Sequence, residues 1–379
     1  MFDCKKLKLG YDGLVDLLGG KRYDRGVLER LLRLNERRRE LSSSVDGLRR
    51  AKREASQLMA KSSGESGERR EELVAALKRK KEQLLALEKE LSELEEEFWE
   101  LLSHVPNPPS NAAPSESEAE GLEGRILRYW GNRPSFDFPC KSHVELGREL
   151  SCLDLNRASR LSGKGFVYLK GFAVLLQNAL ISWLFSLFHD RGFELMIPPV
   201  LSRREALFNS AFFPSQRDEA YEIEGHDLYL LGSSEVALAA LHAGEVLPAS
   251  SLPKRYCAYS SCFRRETSSR GRDNRGMFRV HQFDKIELFS FVEAHESEGE
   301  HEFLLSLQEE VLQQLGLAYR VLDIAAPHLG AAAARKYDIE VWLPSEGRYR
   351  ELTSCSNCRD FQARRLGAKV QSEGKTRHL

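Results

Sequence analysis

What this chain lacks narrows its chemistry before any motif is read. It has no GxxxxGKS loop and no GxGxxG fingerprint, so no glycine-rich backbone cradle is available to hold a phosphate. Its seven cysteines form no dense framework, which excludes a disulfide-stapled secreted scaffold and fits a reducing compartment, the cytoplasm. The N-terminus, MFDCKKLKLGYDGL, has no apolar core long enough for a signal peptide. Net charge is −1 although 30% of the 379 residues are charged, so polyanion binding would need local patches. Only one long uncharged apolar run exists, GFAVLLQNALISWLFSLF from Gly171 to Phe188. Gln177, Asn178, Ser182 and Ser186 interrupt it and no second run accompanies it. The expectation is a buried helix in a large core, not a membrane span. The length suggests two or three domains.

What is present is most regular in the first third. Leu73, Leu77, Lys80, Leu84, Leu87, Leu91, Leu94, Phe98 and Leu101 alternate at four and three residues, the a/d seam of a coiled coil. Leu31, Leu34, Arg38, Leu41, Val45, Leu48, Lys52, Ala55 and Met59 do the same, with two basic interruptions. A polar turn over 62–67 separates the runs, which predicts an antiparallel helical arm roughly 50 Å long. Basic residues gather toward the turn (Arg49, Arg50, Arg53, Arg69, Arg70, Lys78) and glutamates toward the other end. Such a run is either a solvated coiled-coil face or a polyanion-contacting tip; the segregation favours the tip. Residues 104–124, rich in Pro, Ser, Ala and Glu, read as a linker between an arm domain over 1–103 and a second domain over 125–379. There, helical stretches near 171–191 and 297–315 alternate with strand-like runs without regular crossovers, which predicts an α+β domain with a mostly antiparallel sheet.

The stretch FRRETSSRGRDNRGMFRVHQFDKIELFSF (263–291) has six arginines between Arg264 and Arg279. Residues two apart share a strand face, which would align Arg279, His281, Phe283, Lys285 and Glu287. That face could hold a phosphate, a flat ring and an ammonium or hydroxyl group, or it could be the polar side of an exposed hairpin. Spacing alone leaves both open.

The surrounding segments decide between them. FRRE, the loop GRDNRG and RVHQFDKIELF together resemble the second signature of class II aminoacyl-tRNA synthetases in its seryl-tRNA synthetase form. GFELMIPPVL (192–201) resembles the first signature, and SHVELGRELSCLDLNRASRLSG (142–163) and ARKYDIEVWLPSEGRYRELTSCSNCRDFQARR (334–365) are similar to seryl enzymes. The resemblance spans nearly the whole chain. It implies a class II antiparallel sheet flanked by helices, a coiled-coil arm that grips the long variable arm of serine tRNA, and a homodimer joined at the first signature. It also implies ATP-dependent activation of serine and transfer to tRNA-Ser, with tRNA-Sec as a further substrate.

By the same resemblance, Arg264 would contact the α-phosphate and Glu266 the adenine amino group, Phe283 would stack on adenine, and Arg279 would lie near the phosphates. These make Arg264, Glu266 and Arg279 the expected catalytic residues, with Arg265, Val280, Leu352 and Thr353 also lining the ATP site. Ser233, Ser234, Glu235 and Glu287 would bind serine, and Glu351 and Ser354 would carry Mg²⁺ with ATP. The remaining loop arginines would meet the tRNA acceptor end. Arg49, Arg50, Arg53, Arg69, Arg70 and Lys78 are the expected tRNA contacts of the arm. A site that hydrogen-bonds the serine hydroxyl rejects alanine by as much as about 10⁴-fold. Cys355-Ser356-Asn357-Cys358 could be half a zinc site or a redox pair, but four ligands are wanting and no zinc is expected. Three departures stand out: Ser233 for a usual threonine, Asn209-Ser210-Ala211 where Gly-Thr-Gly is common, and Pro327-His328 where Gly-Asp is common. The third signature, with its γ-phosphate arginine, would begin beyond Leu379. The expectation is therefore weak serine-dependent ATP–pyrophosphate exchange, restored by that segment. The alternatives are a tRNA-binding module without aminoacylation and a coiled-coil scaffold.

Overall fold

The computed structural model describes residues 1–61, 67–266 and 276–379, with backbone alone at 58, 60–61 and 67–73. The chain divides into two compact units. One comprises Phe2–Leu17 and Arg22–Pro106; the other comprises Met1, Leu18–Lys21 and Asn107–Leu379.

In the first unit, helices α1 (Arg25–Lys61) and α2 (Gly67–His104) pair along the predicted seam. Leu31, Leu41, Val45 and Ala55 from α1, and Leu84 and Phe98 from α2, are buried, as the four-three alternation requires. The antiparallel sense is visible in the ion pairs, since Arg30 meets Glu97, Arg37 meets Glu90 at 2.8 Å and Arg49 meets Glu88 at 2.8 Å. These pairs face solvent and each contributes at most about 1 kcal/mol; seam burial holds the hairpin. Arg38, a basic break in the seam, stays there by laying its guanidinium over the Phe98 ring at 4.4 Å. The polar turn lies outside the described residues as far as residue 66.

The second unit is α+β. Its elements in chain order are β1 (Gly124–Trp130), α3 (Phe172–Asp190), β2 (Glu194–Met196), β3 (Lys254–Phe263), β4 (Gln282–Phe291), α4 (Ser297–Gln314), β5 (Tyr319–Ile324), β6 (Arg335–Leu343) and β7 (Arg348–Asn357), with shorter pieces between them. Strands β1, β5, β6 and β7 form an antiparallel four-stranded sheet, and β4, β3 and β2 form a three-stranded one in which only β2 runs parallel to its neighbour. Leu305 and Leu312 of α4 pack on Tyr319, Val321, Tyr337, Ile339 and Val341, the inward positions of the first sheet. Residues 107–123 are held in place, because the Asn107 amide donates to the carbonyls of Ala332 and Cys358 at 2.8 Å each. Lys21 is buried and its ammonium donates to the Asn107 and Gly330 carbonyls at 2.8 Å and to Ala333 at 2.6 Å.

One expectation fails here. The apolar run forms α3 as foreseen, but α3 is not buried: only Phe188 is enclosed, and Leu175 is 72% exposed. Leu184, Phe185 and Leu187 pack with Phe193, Cys257 and Leu307, so the helix covers the sheet with one side only. Of the four polar interruptions Asn178, Ser182 and Ser186 are exposed, and Phe172, Val174, Leu175, Leu176 and Ala179 are exposed beside them. By length and composition α3 could cross a membrane, the one such helix among the described residues.

Candidate active site

The site is built on β3 and β4, which pair antiparallel with Phe263 opposite Gln282 and Ala258 opposite Glu287. On β4, Ile286 and Leu288 turn toward α3 and α4. The alternation then sends Phe283, Lys285 and Glu287 to the opposite face. Burial of one face thus fixes which residues the other presents. The strand begins at Gln282, so Arg279 and His281, expected on that same strand face, lie in the bend before it. Three of the five expected residues are on the strand and two are in the bend.

Arg264 is held from three sides. Its Nε donates to the Gly232 carbonyl at 3.1 Å, its backbone N–H to the His281 carbonyl at 3.0 Å, and its guanidinium lies 5.3 Å from the Phe283 ring centre. The next residue, Arg265, has an exposed side chain and donates its backbone N–H to the Glu219 carbonyl at 2.9 Å. Glu266 sits in left-handed backbone at φ 48° and its carboxylate pairs with Arg279. Glu266 and Arg279 of the expected catalytic set therefore hold each other, while Val280 beside Arg279 is buried. The loop arginines Arg270, Arg272 and Arg275 lie outside the described residues.

Beside this, a second cluster forms. Ser233 Oγ donates to the Glu287 carboxylate at 2.6 Å and also accepts from the Glu235 backbone N–H at 3.1 Å. Glu287 pairs in turn with Lys285. Burial works against the Lys285 ammonium, but the Glu287 carboxylate outweighs it and raises the Lys285 pKa. Glu235 is pushed above the usual carboxylate range by burial and by the like charge of Glu287, with the Gln362 amide donating to it at 2.7 Å. Gln362, buried on the short helix Phe361–Leu366, also donates to the Ser210 carbonyl at 2.9 Å. No motif pointed to Gln362; its only sequence signal was membership in the CRDFQARR stretch. Ser234 departs from the group, because it is fully buried and its hydroxyl meets Ser260 at 2.6 Å, beneath the site.

The expected metal and ATP residues lie on β7. A bulge opposite Ile339 and Glu340 leaves Leu352 without a partner, 54% exposed, and sets Glu351 against Glu340 and Ser354 against Asp338. Glu351 and Ser354 are exposed oxygen donors. Thr353 points inward, where its Oγ1 has no partner. Residue Arg350 ties this strand to the bend, with its guanidinium 4.7 Å from the Phe278 ring centre. Asp338, which no motif indicated, is buried beside Lys336 at 2.7 Å. Its carboxyl is nonetheless raised to about 7, chiefly by burial and then by Glu351, which together outweigh the lysine.

Of the arm residues, Arg49 is engaged with Glu88, while Arg50, Arg53 and Lys78 are exposed. The side chains of Arg69 and Arg70 lie outside the described residues. Burial pushes the Cys355 thiol above its ordinary value and Cys358 up to about 12, so both are inert thiols.

Comparison with known proteins shows the family. Residues 1–109 match the family described as "Seryl-tRNA synthetase N-terminal domain", and residues 219–379 match "tRNA synthetase class II core domain (G, H, P, S and T)". The chain is 39% identical to a serine–tRNA ligase of Clavibacter michiganensis subsp. michiganensis, over 92% of this chain and 81% of the relative. It is also 39% identical to one of Thermobifida fusca, over 100% of this chain and 89% of the relative. Among solved structures, seryl-tRNA synthetase from Pyrococcus horikoshii, complexed with ATP, superposes with a TM-score of 0.90 at 32% identity, covering 100% of this chain and 89% of that one. The cytoplasmic serine–tRNA ligase of Naegleria fowleri, in complex with AMP, gives 0.83 at 28% identity over 97% and 85%. With family descriptions matched over 1–109 and 219–379 and relatives 39% identical over nearly the whole chain, the chain belongs to the seryl-tRNA synthetase family of class II serine–tRNA ligases.

Proposed function

We propose that this chain activates serine with ATP on the β3–β4 hairpin and then passes the seryl group to the 3′ end of tRNA-Ser, with tRNA-Sec as a second acceptor. The observation that carries this reading is the adjacency of two differently charged halves. Arg264 over Phe283 offers a cation and a flat ring, and Ser233, Glu287 and Glu235 offer carboxylates and a hydroxyl a few side chains away.

In this reading the serine ammonium is held by Glu287 and Glu235 and its hydroxyl by the Ser233 region, with Ser234 supporting from below. Adenine stacks on Phe283 between Val280 and Leu352, with its amino group toward Glu266. The serine carboxylate attacks the α-phosphate, an oxygen–phosphorus bond forms as the bond to pyrophosphate breaks, and negative charge accumulates on the phosphate oxygens. Arg264, already fixed by Gly232 and Phe283, stabilises that charge without reorganising, with Arg279 and Arg265 beside it. Arg279 must leave Glu266 to do so. Mg²⁺, a hard cation that takes oxygen donors, suits the exposed oxygens of Glu351 and Ser354, flanked by Thr353, and would neutralise the triphosphate. No zinc is assigned, since the CxxC run supplies two thiols where a structural zinc site takes four ligands.

The arm serves tRNA-Ser through Arg50, Arg53, Lys78, Arg69 and Arg70, with Arg49 shared between tRNA and Glu88. A homodimer covers the outward side of α3 and the neighbouring Ile197, 76% exposed, which gives that apolar surface a protein occupant rather than a membrane. The enzyme acts in the cytoplasm. The test is a pair of equilibrium measurements: the chain binds tRNA-Ser in preference to a tRNA with a short variable arm, and it binds ATP with an affinity that Arg264→Ala reduces at least tenfold. Equal binding of both tRNAs, or unchanged ATP affinity in the variant, would overturn the reading.

A further inference from the structure

Residues 144–170 fall in neither stretch matched by a family description, yet they enclose a cavity of about 420 Å³. It lies between the helices His143–Glu149 and Leu155–Ser162 and the strand pair Leu153–Asp154 with Tyr168–Leu169. Its charge is one-sided. Arg148, Arg157, Arg160 and Lys170 line it against a single acid, Asp154. That acid is already occupied, because it caps the second helix by accepting from the Arg157 backbone N–H at 2.9 Å and pairs with the Arg157 guanidinium at 2.5 Å. Among the described residues, the side chains of Arg148, Arg160 and Lys170 have no ion pair.

The cavity adjoins the ends of the arginine loop. Its lining residue Val144 and the neighbouring His143 leave no room for a side chain at Gly276: an added Cβ would lie 2.8 Å from Val144 and 2.0 Å from His143 Nε2. Met277 donates its backbone N–H to the same His143 nitrogen at 3.0 Å. On the other flank, His281 donates its backbone N–H to the Gly165 carbonyl at 2.8 Å, and its ring Nδ1 lies 3.0 Å from the Arg264 carbonyl. The residues that enclose the cavity are thus one contact away from the residues that flank Arg264.

We infer that this cavity is a sugar-phosphate binding site for the acceptor arm of the tRNA. The inference rests on the proposed tRNA-ligating function. A 3′ end that reaches Arg264 and Glu287 must bring several backbone phosphates over the adjoining surface. Three unpaired cations around an open, polar-lined hollow suit phosphates, which carry position without sequence. An apolar ligand would leave those cations unsolvated, and a protein partner would need matching carboxylates.

The test compares wild type, the Arg148→Gln/Arg160→Gln double variant and the corresponding double lysine variant in filter binding of tRNA-Ser across a salt series. Melting curves and sedimentation of each protein show whether fold and assembly are intact. The glutamine variant should lose about tenfold in affinity at low salt, and the slope of log K against log salt should flatten by about two, one for each phosphate contact removed. Lysine should restore most of both, since it keeps the point charge and leaves folding demands alike. If wild type binds tRNA-Ser while the glutamine variant keeps its affinity within twofold and its slope unchanged, the cavity is not an RNA site. A wild type that binds no tRNA would instead strike the proposed function itself.

Discussion

Ser233 and Glu287, 54 residues apart in the chain, meet in a 2.6 Å hydrogen bond that links the loop before Glu235 to the strand face beside Phe283. Because Glu287 already holds Ser233 and Lys285, its carboxylate is aimed before any substrate arrives. An interaction with a charged partner contributes about 1.5–3 kcal/mol. Glu287→Gln keeps the shape but removes the charge that a serine ammonium needs. Serine binding by calorimetry should weaken by about 10- to 100-fold, with ATP binding changed less than threefold. A loss confined to ATP would reassign Glu287.

Ala211 occupies left-handed backbone at φ 67°, the position at which glycine is expected, and it is buried. Left-handed backbone costs an L-residue about 1–2 kcal/mol. Ala211→Gly removes that strain but forfeits a buried methyl worth about 0.8 kcal/mol and adds unfolded-state freedom worth about 0.4–1 kcal/mol. The terms nearly cancel, so its melting temperature should match wild type within about a degree. Ala211→Val should cost about 2 kcal/mol or more, because a branched Cβ is poorly tolerated there. Equal melting of the valine and glycine variants would show that the backbone relaxes.

Asp338 titrates at about 7 in the fold against 3.8 for a free side chain, because burial outweighs its Lys336 partner. A raised carboxyl binds its proton more tightly folded than unfolded, so stability declines as pH rises from about 4 to about 7 and then levels. At about 1.4 kcal/mol per pH unit the decline is on the order of 4 kcal/mol. Asp338→Asn should flatten denaturant-unfolding free energies measured across that interval, and should be more stable than wild type at pH 8. A parallel pH profile in the variant would assign the proton elsewhere.

Leu175 on α3 and Ile197 just after β2 are 72% and 76% exposed, in a region whose outward side is largely apolar. Under the dimer reading, Leu175→Asp with Ile197→Asp should convert a dimer into a folded monomer by sedimentation velocity. A wild type that sediments as a monomer, or a variant that remains dimeric, would place the contact somewhere else.

Several of these features were legible in the residues themselves. The seam of α1 and α2 needs only the helical repeat, because side chains at four-three spacing must share one face; the guanidinium of Arg38 over Phe98 shows how a break in the pattern is tolerated. Strand parity alone placed Phe283, Lys285 and Glu287 together. What the chain could not reveal locally was where the strand stopped, and so Arg279 and His281 came out in the bend. Nor could adjacency separate Ser233, turned to Glu287, from Ser234, turned to Ser260. That choice depends on which neighbour each hydroxyl meets. Gln362 reaches Glu235 across 127 residues, and Asp338 owes its high pKa to burial that no spacing encodes. The apolar run of α3 is plain in the sequence, but whether it lies inside or outside follows from what packs on it. Local periodicity determines which side chains share a face, because it is a property of backbone geometry. Which face is covered, and which polar groups then meet, is decided by long-range packing alone.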